Sequence, residues 1–310
     1  MNILEVSNLK KRYGHNEVVK GISFSVNKGE ILGFLGPNGA GKSTTINILS
    51  TALRASDGEM KFMGRDILKN KKEYKSKLGI VPQSLAIFEN LSALENVKYF
   101  GSFYGLKGEK LKTQSEKALE MVGLLDRAND LPKTYSGGMK RRLNIACALA
   151  HNPELLILDE PTVGIDPQSR NHILESIKEL RKSGTTIIYT THYMEEVEAI
   201  SDRALIIDNG QIIAEGTLEE LKGQMEEQVV YNISATEVDE IDKDILLSVK
   251  GVEKVECKEC LRVSTLKESN NLDKIILKLI ENDVKIKNIV TEEQNLETVF
   301  LNLTGRTLRD

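Results

Sequence analysis

Residues 30–49 read "EILGFLGPNGAGKSTTINIL", and no other stretch of the chain leaves so little freedom in how it can fold. An apolar run enters a glycine-rich turn, and a helical pattern opens straight after it, so a buried strand must feed a loop and then a helix. The loop satisfies G-x-x-x-x-G-K-[ST] at Gly36-Pro37-Asn38-Gly39-Ala40-Gly41-Lys42-Ser43-Thr44. Its glycines let successive backbone N–H groups converge on phosphate oxygens, and the helix behind adds the positive end of its dipole. In such a loop Lys42 reaches the β- and γ-phosphates, and the Ser43 hydroxyl ligates Mg²⁺.

The strand–loop–helix unit sets the expectation for the first two thirds of the chain. To about residue 222, short β-branched runs alternate with helical patterns, which predicts an α/β layer built largely on parallel strands. "ELLILDEP" (154–161) and "TTIIYTTH" (185–192) are continuously apolar, as strands buried on both faces are. "DRALIIDNGQIIAEGT" (202–217) predicts a hairpin about Asn209-Gly210. A helix is expected over 42–53. The basic run "LKNKKEYKSK" (68–77) reads as a solvated helix face, and "SLAIFENLSALENVKYFGSFYGL" (84–106) as a helix apolar on one side.

A polar break at "KGQMEEQ" (222–228) divides the 310 residues into 1–222 and 228–310. The second part reads strand (229–235), helix (about 238–248), strand (252–257), strand (261–265), helix (272–282), strand (284–291), helix (295–304). That order is a ferredoxin-like βαββαβ split motif, a small α+β domain, with one helix added. In the last helix Leu296, Val299, Phe300 and Leu303 share a face, which packs either on its own sheet or against a second subunit. Cys257 and Cys260 stand at the ends of two strands joined at Lys258-Glu259; with no second pair and no nearby histidine they read as hairpin ends rather than as a metal site.

A formal net charge of −4 argues against a general nucleic-acid binder. No apolar run approaches the roughly 18 residues of a membrane span. The first residues, "MNILEVSNLKKRYG", form a strand pattern without the features of a signal peptide, so the expected location is the cytosol.

Two acids end the strand "LLILDEP". Asp159 would hold the Mg²⁺ shell, and Glu160 would orient or deprotonate a water attacking the γ-phosphate, although such acids also cap helices or pair with lysines. A second anion-facing element lies at "TYSGGMKRRL" (134–143): Ser136 can cap the helix that follows, and Gly137 and Gly138 allow close backbone approach. One chain thus carries more phosphate-facing helix ends than one nucleotide requires.

The order of glycine loop, "YSGGM", "LLILDEP" and "THYMEE" resembles the ATP-binding cassette (ABC) family over residues 2–220. The resemblance implies a P-loop NTPase cassette with a mixed sheet and a helical subdomain at about 84–150. It also implies two cassettes packed head to tail, as a homodimer or heterodimer, each offering its Ser136-Gly137-Gly138 element to ATP on the other's loop. By the same resemblance Tyr13 stacks on adenine, Gln83 touches Mg²⁺ or the water and senses the membrane partner, and His192 contacts the γ-phosphate. Asp166 in "VGID" lies on a loop crossing the dimer interface, or else caps the helix that follows. The segment 84–106 forms a groove for a short helix of a separate transmembrane permease subunit. Tyr135 and Met139 stand where the commonest signature has Leu and Gln, and Met cannot donate a hydrogen bond as Gln does. Met139 and the tail "LETVFLNLTGR" (296–306) resemble the bacterial ABC-2-type drug- and ion-export branch. The expectation is an ATPase peripheral on the inner face of the membrane, driving an exporter. A soluble ABC ATPase working on ribosomes or DNA is the alternative. A regulatory or dimer-stabilising role for residues 228–310 is compatible with either.

Overall fold

The computed structural model describes residues 1–223, 228–236, 243–257, 260–291 and 295–304. In chain order the strands and helices are β1 (Asn2–Tyr13), β2 (Asn16–Asn27), β3 (Ile31–Leu35), α1 (Lys42–Leu49), β4 (Asp57–Phe62), β5 (Arg65–Asp66), α2 (Lys71–Ser76), β6 (Leu78–Val81), α3 (Ala93–Phe103), α4 (Gly108–Met121), α5 (Gly137–Leu149), β7 (Leu155–Asp159), α6 (Pro167–Lys182), β8 (Thr186–Thr191), α7 (Met194–Ile200), β9 (Arg203–Asp208), β10 (Gln211–Thr217) and α8 (Leu218–Gly223). They are followed by β11 (Gln228–Ala235), α9 (Lys243–Leu247), β12 (Val252–Cys257), β13 (Leu261–Leu266), α10 (Leu272–Glu281), β14 (Ile286–Thr291) and α11 (Leu296–Thr304). Among the described residues the chain divides into two compact units, Met1–Leu218 with 300–304, and Glu219–Val299.

The central sheet of the first unit runs β10-β9-β3-β8-β7-β6. Pairing is parallel from β9 through β6, and β10 closes the edge antiparallel. β3 and β8 are buried at every residue, which explains their unbroken apolar runs. A separate antiparallel sheet, β2-β1-β4-β5, lies over α1 and the central sheet. Leu4, Val6, Phe24 and Val26 from it share one core with Ile46 and Leu49 of α1 and with Phe34 and Ile157 of the central strands. Phe24 meets Phe34 edge to face at 5.8 Å. On the other side α7 sits close on β3: a Cβ at Gly33 would lie 2.5 Å from a Val197 methyl, so no larger residue fits there. Each such large apolar side chain contributes about 1.5–3 kcal/mol when taken out of water.

Local chemistry moved three expected boundaries. α1 ends at Leu49 rather than 53, and Thr51 takes a left-handed φ of 60° just beyond it. The span 84–106 is not one helix, because Ser92 and Glu95 form a capping box that starts α3 at Ala93. The preceding loop is held instead by the buried amide of Asn96, which accepts from Phe88 N–H at 2.7 Å and donates to the carbonyls of Phe88 and Leu91. α2 covers Lys71–Ser76 of the basic run, with Lys71, Lys72 and Lys75 exposed around a buried Tyr74. The Asn209-Gly210 hairpin has both residues at positive φ, 48° and 79°, and Gln211 pairs with Asp208.

The second unit holds an antiparallel sheet in the order β12-β13-β11-β14. Ile233, Val263, Ile275 and Leu279 build its core. Cys257 and Cys260 are free and half-buried; the turn at Lys258-Glu259, the start of the expected 238–248 helix and part of the 222–228 break lie outside the described residues. In α11, Leu296, Val299 and Phe300 are buried within the chain itself, and Leu303 is exposed.

Candidate nucleotide site

Four central strands deliver their carboxyl ends to one place, the crevice where open α/β sheets hold ligands. β3 runs into Gly36, where a Cβ would lie 2.3 Å from the Ile207 carbonyl oxygen, so only glycine lets the loop turn here. Gly39 and Gly41 take positive φ values of 82° and 107°. Gly41 is the residue before α1, and the first-turn N–H groups of that helix, at Lys42, Ser43 and Thr44, have no partner four residues back. The result is a cleft of about 190 Å³ lined by the loop, by Val18 of β2, and by Gln83 and Glu160.

Lys42 is only 4 % exposed. Its ammonium donates to the carbonyls of Gly36 at 2.6 Å and Pro37 at 3.1 Å, and lies 3.6 Å from a Glu160 carboxylate oxygen. Burial lowers its pKa, and the Glu160 charge works against that shift. Glu160 follows β7 and adopts a left-handed φ of 47°, a strained conformation for a residue with a Cβ. Its N–H donates to the Thr190 carbonyl at 3.1 Å and to the Thr190 hydroxyl at 3.0 Å. The same hydroxyl donates to Asp159 at 2.7 Å. Thr190 therefore aims both acids, Asp159 from one side and Glu160 from the other. Burial raises the pKa of Asp159, against the bond from Thr190.

Two further groups approach Glu160. The Gln83 amide donates to its second oxygen at 3.1 Å, and His192 Nδ1 lies 3.5 Å from the first. At that distance the histidine makes no hydrogen bond, and Nδ1 is buried without a partner among the described residues. The loop 36–44, Gln83, Asp159, Glu160 and His192 are thus brought together.

Ser136, Gly137, Gly138, Asp166 and Tyr13 do not line the cleft. Ser136 caps α5, accepting from Met139 N–H at 3.3 Å. Asp166 caps α6, accepting from Ser169 N–H at 2.9 Å, and this bond holds its carboxyl below the usual range. The two helix starts adjoin, since a Cβ on Gly138 would meet the Ser169 side chain at 2.3 Å. Gly137 remains open, with no atom nearer than 3.8 Å to the corresponding position. Tyr13, at the end of β1, is half-exposed with the Lys11 ammonium 5.2 Å from its ring centre.

Sequence reasoning missed the clasp between α5 and the Gln83 segment. Arg141 is buried and donates to the carbonyls of Pro82 at 3.1 Å and Gln83 at 2.8 Å, while the Asn144 carbonyl oxygen accepts from Ala86 N–H at 3.2 Å. The available signal was a pair of polar side chains, three residues apart, on the face of α5 that otherwise carries Ile145. Tyr135, which replaces the usual leucine, is buried and donates to the Arg127 carbonyl at 2.6 Å, tying down the start of α5.

Residues 19–163 match the ABC transporter family. Along 99 % of its length the chain is 45 % identical to the whole of the linearmycin resistance ATP-binding protein LnrL of Bacillus subtilis. It is 35 % identical to 95 % of the Nod factor export ATP-binding protein I of Ralstonia nicotianae, again over 99 % of this chain. Among solved structures, the dimeric post-hydrolysis state of an ATP-binding cassette bound to ADP and Pi superposes with a TM-score of 0.62 at 27 % identity, covering 69 % of this chain and 98 % of that one. The glycine cradle, the acids that end β7 and these relatives together place the chain in the ABC transporter family, as one of its ATP-binding subunits.

Proposed function

We propose that this ATPase powers an exporter: ATP closes two cassettes over two nucleotides, and hydrolysis reopens them. The observation that carries the reading is the convergence of Lys42, Gln83, Glu160 and His192 on one glycine-lined cleft. The N–H groups at the start of α1 and the Lys42 ammonium take the β- and γ-phosphates. The ammonium already lies against two carbonyls and a carboxylate, so phosphate oxygens replace neighbours it has rather than ordering a free side chain. Glu160, held by Thr190 and Gln83, orients the attacking water and accepts its proton, and His192 steadies the γ-phosphate.

The donor set fits Mg²⁺. Among the described residues there is no group of three or more His, Cys, Asp or Glu side chains able to cage a metal. A serine hydroxyl on the cleft, one half-buried carboxyl behind it and an amide are the sparse protein contribution that Mg²⁺ takes when phosphates supply the rest. Ser43, Asp159 and Gln83 would hold it, and the bound ion would neutralise charge developing on the phosphate oxygens.

The second nucleotide contact comes from Ser136, Gly137 and Gly138 of a partner cassette, with Asp166 beside them at the interface and Tyr13 stacked on adenine. The open Gly137 and the dimeric relative support this assignment. Export through a separate transmembrane permease rests on the resistance and export roles of the relatives, and the aromatic row Phe88, Tyr99 and Phe103, exposed on α3 and the loop before it, suits the permease contact. No described helix is long and apolar enough to cross a membrane, so the permease would carry the pore and the chain would sit on the inner face. Residues 1–222 form the cassette, with its helical subdomain at about 84–150. Residues 228–310 form a ferredoxin-like accessory domain, a reading supported by the order β14-β11-β13-β12, in which α9 links β11 to β12 and α10 links β13 to β14, strands that are not neighbours in the sheet.

Glu160→Gln tests the site. It should keep ATP affinity, lower turnover by ~100-fold or more and accumulate a closed dimer. Hydrolysis at the parental rate would remove Glu160 from the chemistry.

A further inference from the structure

Glu196 lies in the first turn of α7 and is 2 % exposed, with no direct place in the cleft. A buried carboxylate is costly unless its surroundings hold it. One oxygen accepts from the Tyr189 hydroxyl at 2.9 Å and from the Thr191 hydroxyl at 2.9 Å. The other lies 3.5 Å from Arg170 Nε, on α6 one turn beyond Asp166. Each neighbour leads to a different part of the site. Having donated its proton to Glu196, the Thr191 hydroxyl accepts Tyr193 N–H at 2.9 Å, so the carboxylate fixes the backbone on both sides of His192. The Tyr189 hydroxyl lies 3.4 Å from that of Thr162, two residues after Glu160. Arg170 lies over the Tyr193 ring, 4.9 Å from its centre, and that ring lies 4.1 Å from the His192 ring.

We infer that Glu196 is the positioning residue for His192: through Thr191, Tyr189 and Arg170 it holds the histidine loop in register with the segments that carry Glu160 and Asp166. His192 makes no hydrogen bond through Nδ1, so its ring is aimed by the backbone on either side of it and by Tyr193 rather than by a partner of its own. Removing the carboxylate should let that aim drift while the glycine cradle, at the ends of β3 and α1, stays formed.

The inference rests on the proposed contact of His192 with the γ-phosphate, and the experiment separates the two. Turnover and ATP affinity are measured on the full chain for Glu196→Gln, His192→Ala and the double variant. Glu196→Gln keeps an acceptor for the two hydroxyls but loses the charge that faces Arg170. It should lower kcat ~10-fold with KM for ATP within about 2-fold, since a small misplacement of a catalytic group costs rate rather than binding. In the His192→Ala background the same change should cost less than about 2-fold, because two residues acting through one group are not additive. Tyr189→Phe removes a single hydroxyl and should show a smaller loss with the same dependence on His192; it carries the test if Glu196→Gln does not fold. A full loss repeated in the absence of His192, or parental turnover in Glu196→Gln, would overturn the inference. Parental turnover in His192→Ala would remove the role of the histidine itself, and the positioning role with it.

Discussion

The glycine cradle at 36–44 and the serine–glycine edge at 136–138 share their local architecture: a turn with glycine, then a helix N-terminus. They differ in what surrounds them. The cradle is roofed by its own chain, with Lys42 buried against Glu160 and with Val18 and Gln83 completing the walls. At the edge, Ser136 and Gly137 are exposed, the serine oxygen caps its own helix, and neither residue lines the cleft that holds Lys42. One helix end is a finished pocket, and the other, on the proposed reading, is half of a contact. The lesson is that two helix starts with similar local sequence can differ in whether their own chain builds a pocket around them.

The sharpest break between the two regions is expected at Lys42. Lys42→Ala removes the charged donor from the cradle and leaves Glu160 without its buried cation, so ATP affinity of the single chain should fall ~100-fold, about 2.7 kcal/mol. Titration of the purified variant with nucleotide checks it, and unchanged affinity would dissolve the distinction. Gly138→Val acts on the edge alone. Its Cβ would collide with Ser169 at 2.3 Å, so overpacking should cost about 1–3 kcal/mol and lower the melting temperature, while ATP affinity at the cradle stays within about 2-fold. Tyr135→Phe deletes the hydroxyl that donates to the Arg127 carbonyl and should cost about 1 kcal/mol in chemical denaturation. The smallest effect on the isolated chain belongs to Gly137→Ala, where the nearest atom is 3.8 Å away: stability should change by less than about 0.5 kcal/mol, while turnover should fall if a second copy closes on this edge as proposed. Parental turnover there would mean that nothing closes on Gly137.

The cradle was legible because its causes are local. An apolar strand, three glycines that avoid clash or take positive φ, and a helix opening at Lys42 all sit within 20 residues, and the hairpin at Asn209-Gly210 was readable for the same reason. Where several segments must meet, the sequence was silent. That β1, β2, β4 and β5 leave the central sheet to form their own depends on pairing between residues as distant as Leu4 and Phe62. Thr190 aims two acids that precede it by some thirty residues, and Arg141 reaches back to Pro82 and Gln83. No periodicity marks Thr190, and the polar pair Arg141 and Asn144 on α5 does not show in the sequence which segment it reaches. The break at Ser92 is a different case, since the Ser-x-x-Glu capping box was written in the sequence and the apolar pattern on either side outweighed it.

Subunit complementation puts the proposed sharing of one nucleotide between two copies to its most direct test. Chains carrying Lys42→Ala lack a working cradle but keep the edge; chains carrying Ser136→Arg keep the cradle and lose the edge. Each should be nearly inactive alone. Mixed in equal amounts they should regain ATP hydrolysis, because a mixed pair joins one intact cradle to one intact edge. A mixture no faster than the average of its two components, or a Ser136→Arg chain that hydrolyses ATP alone at the parental rate, would contradict the account.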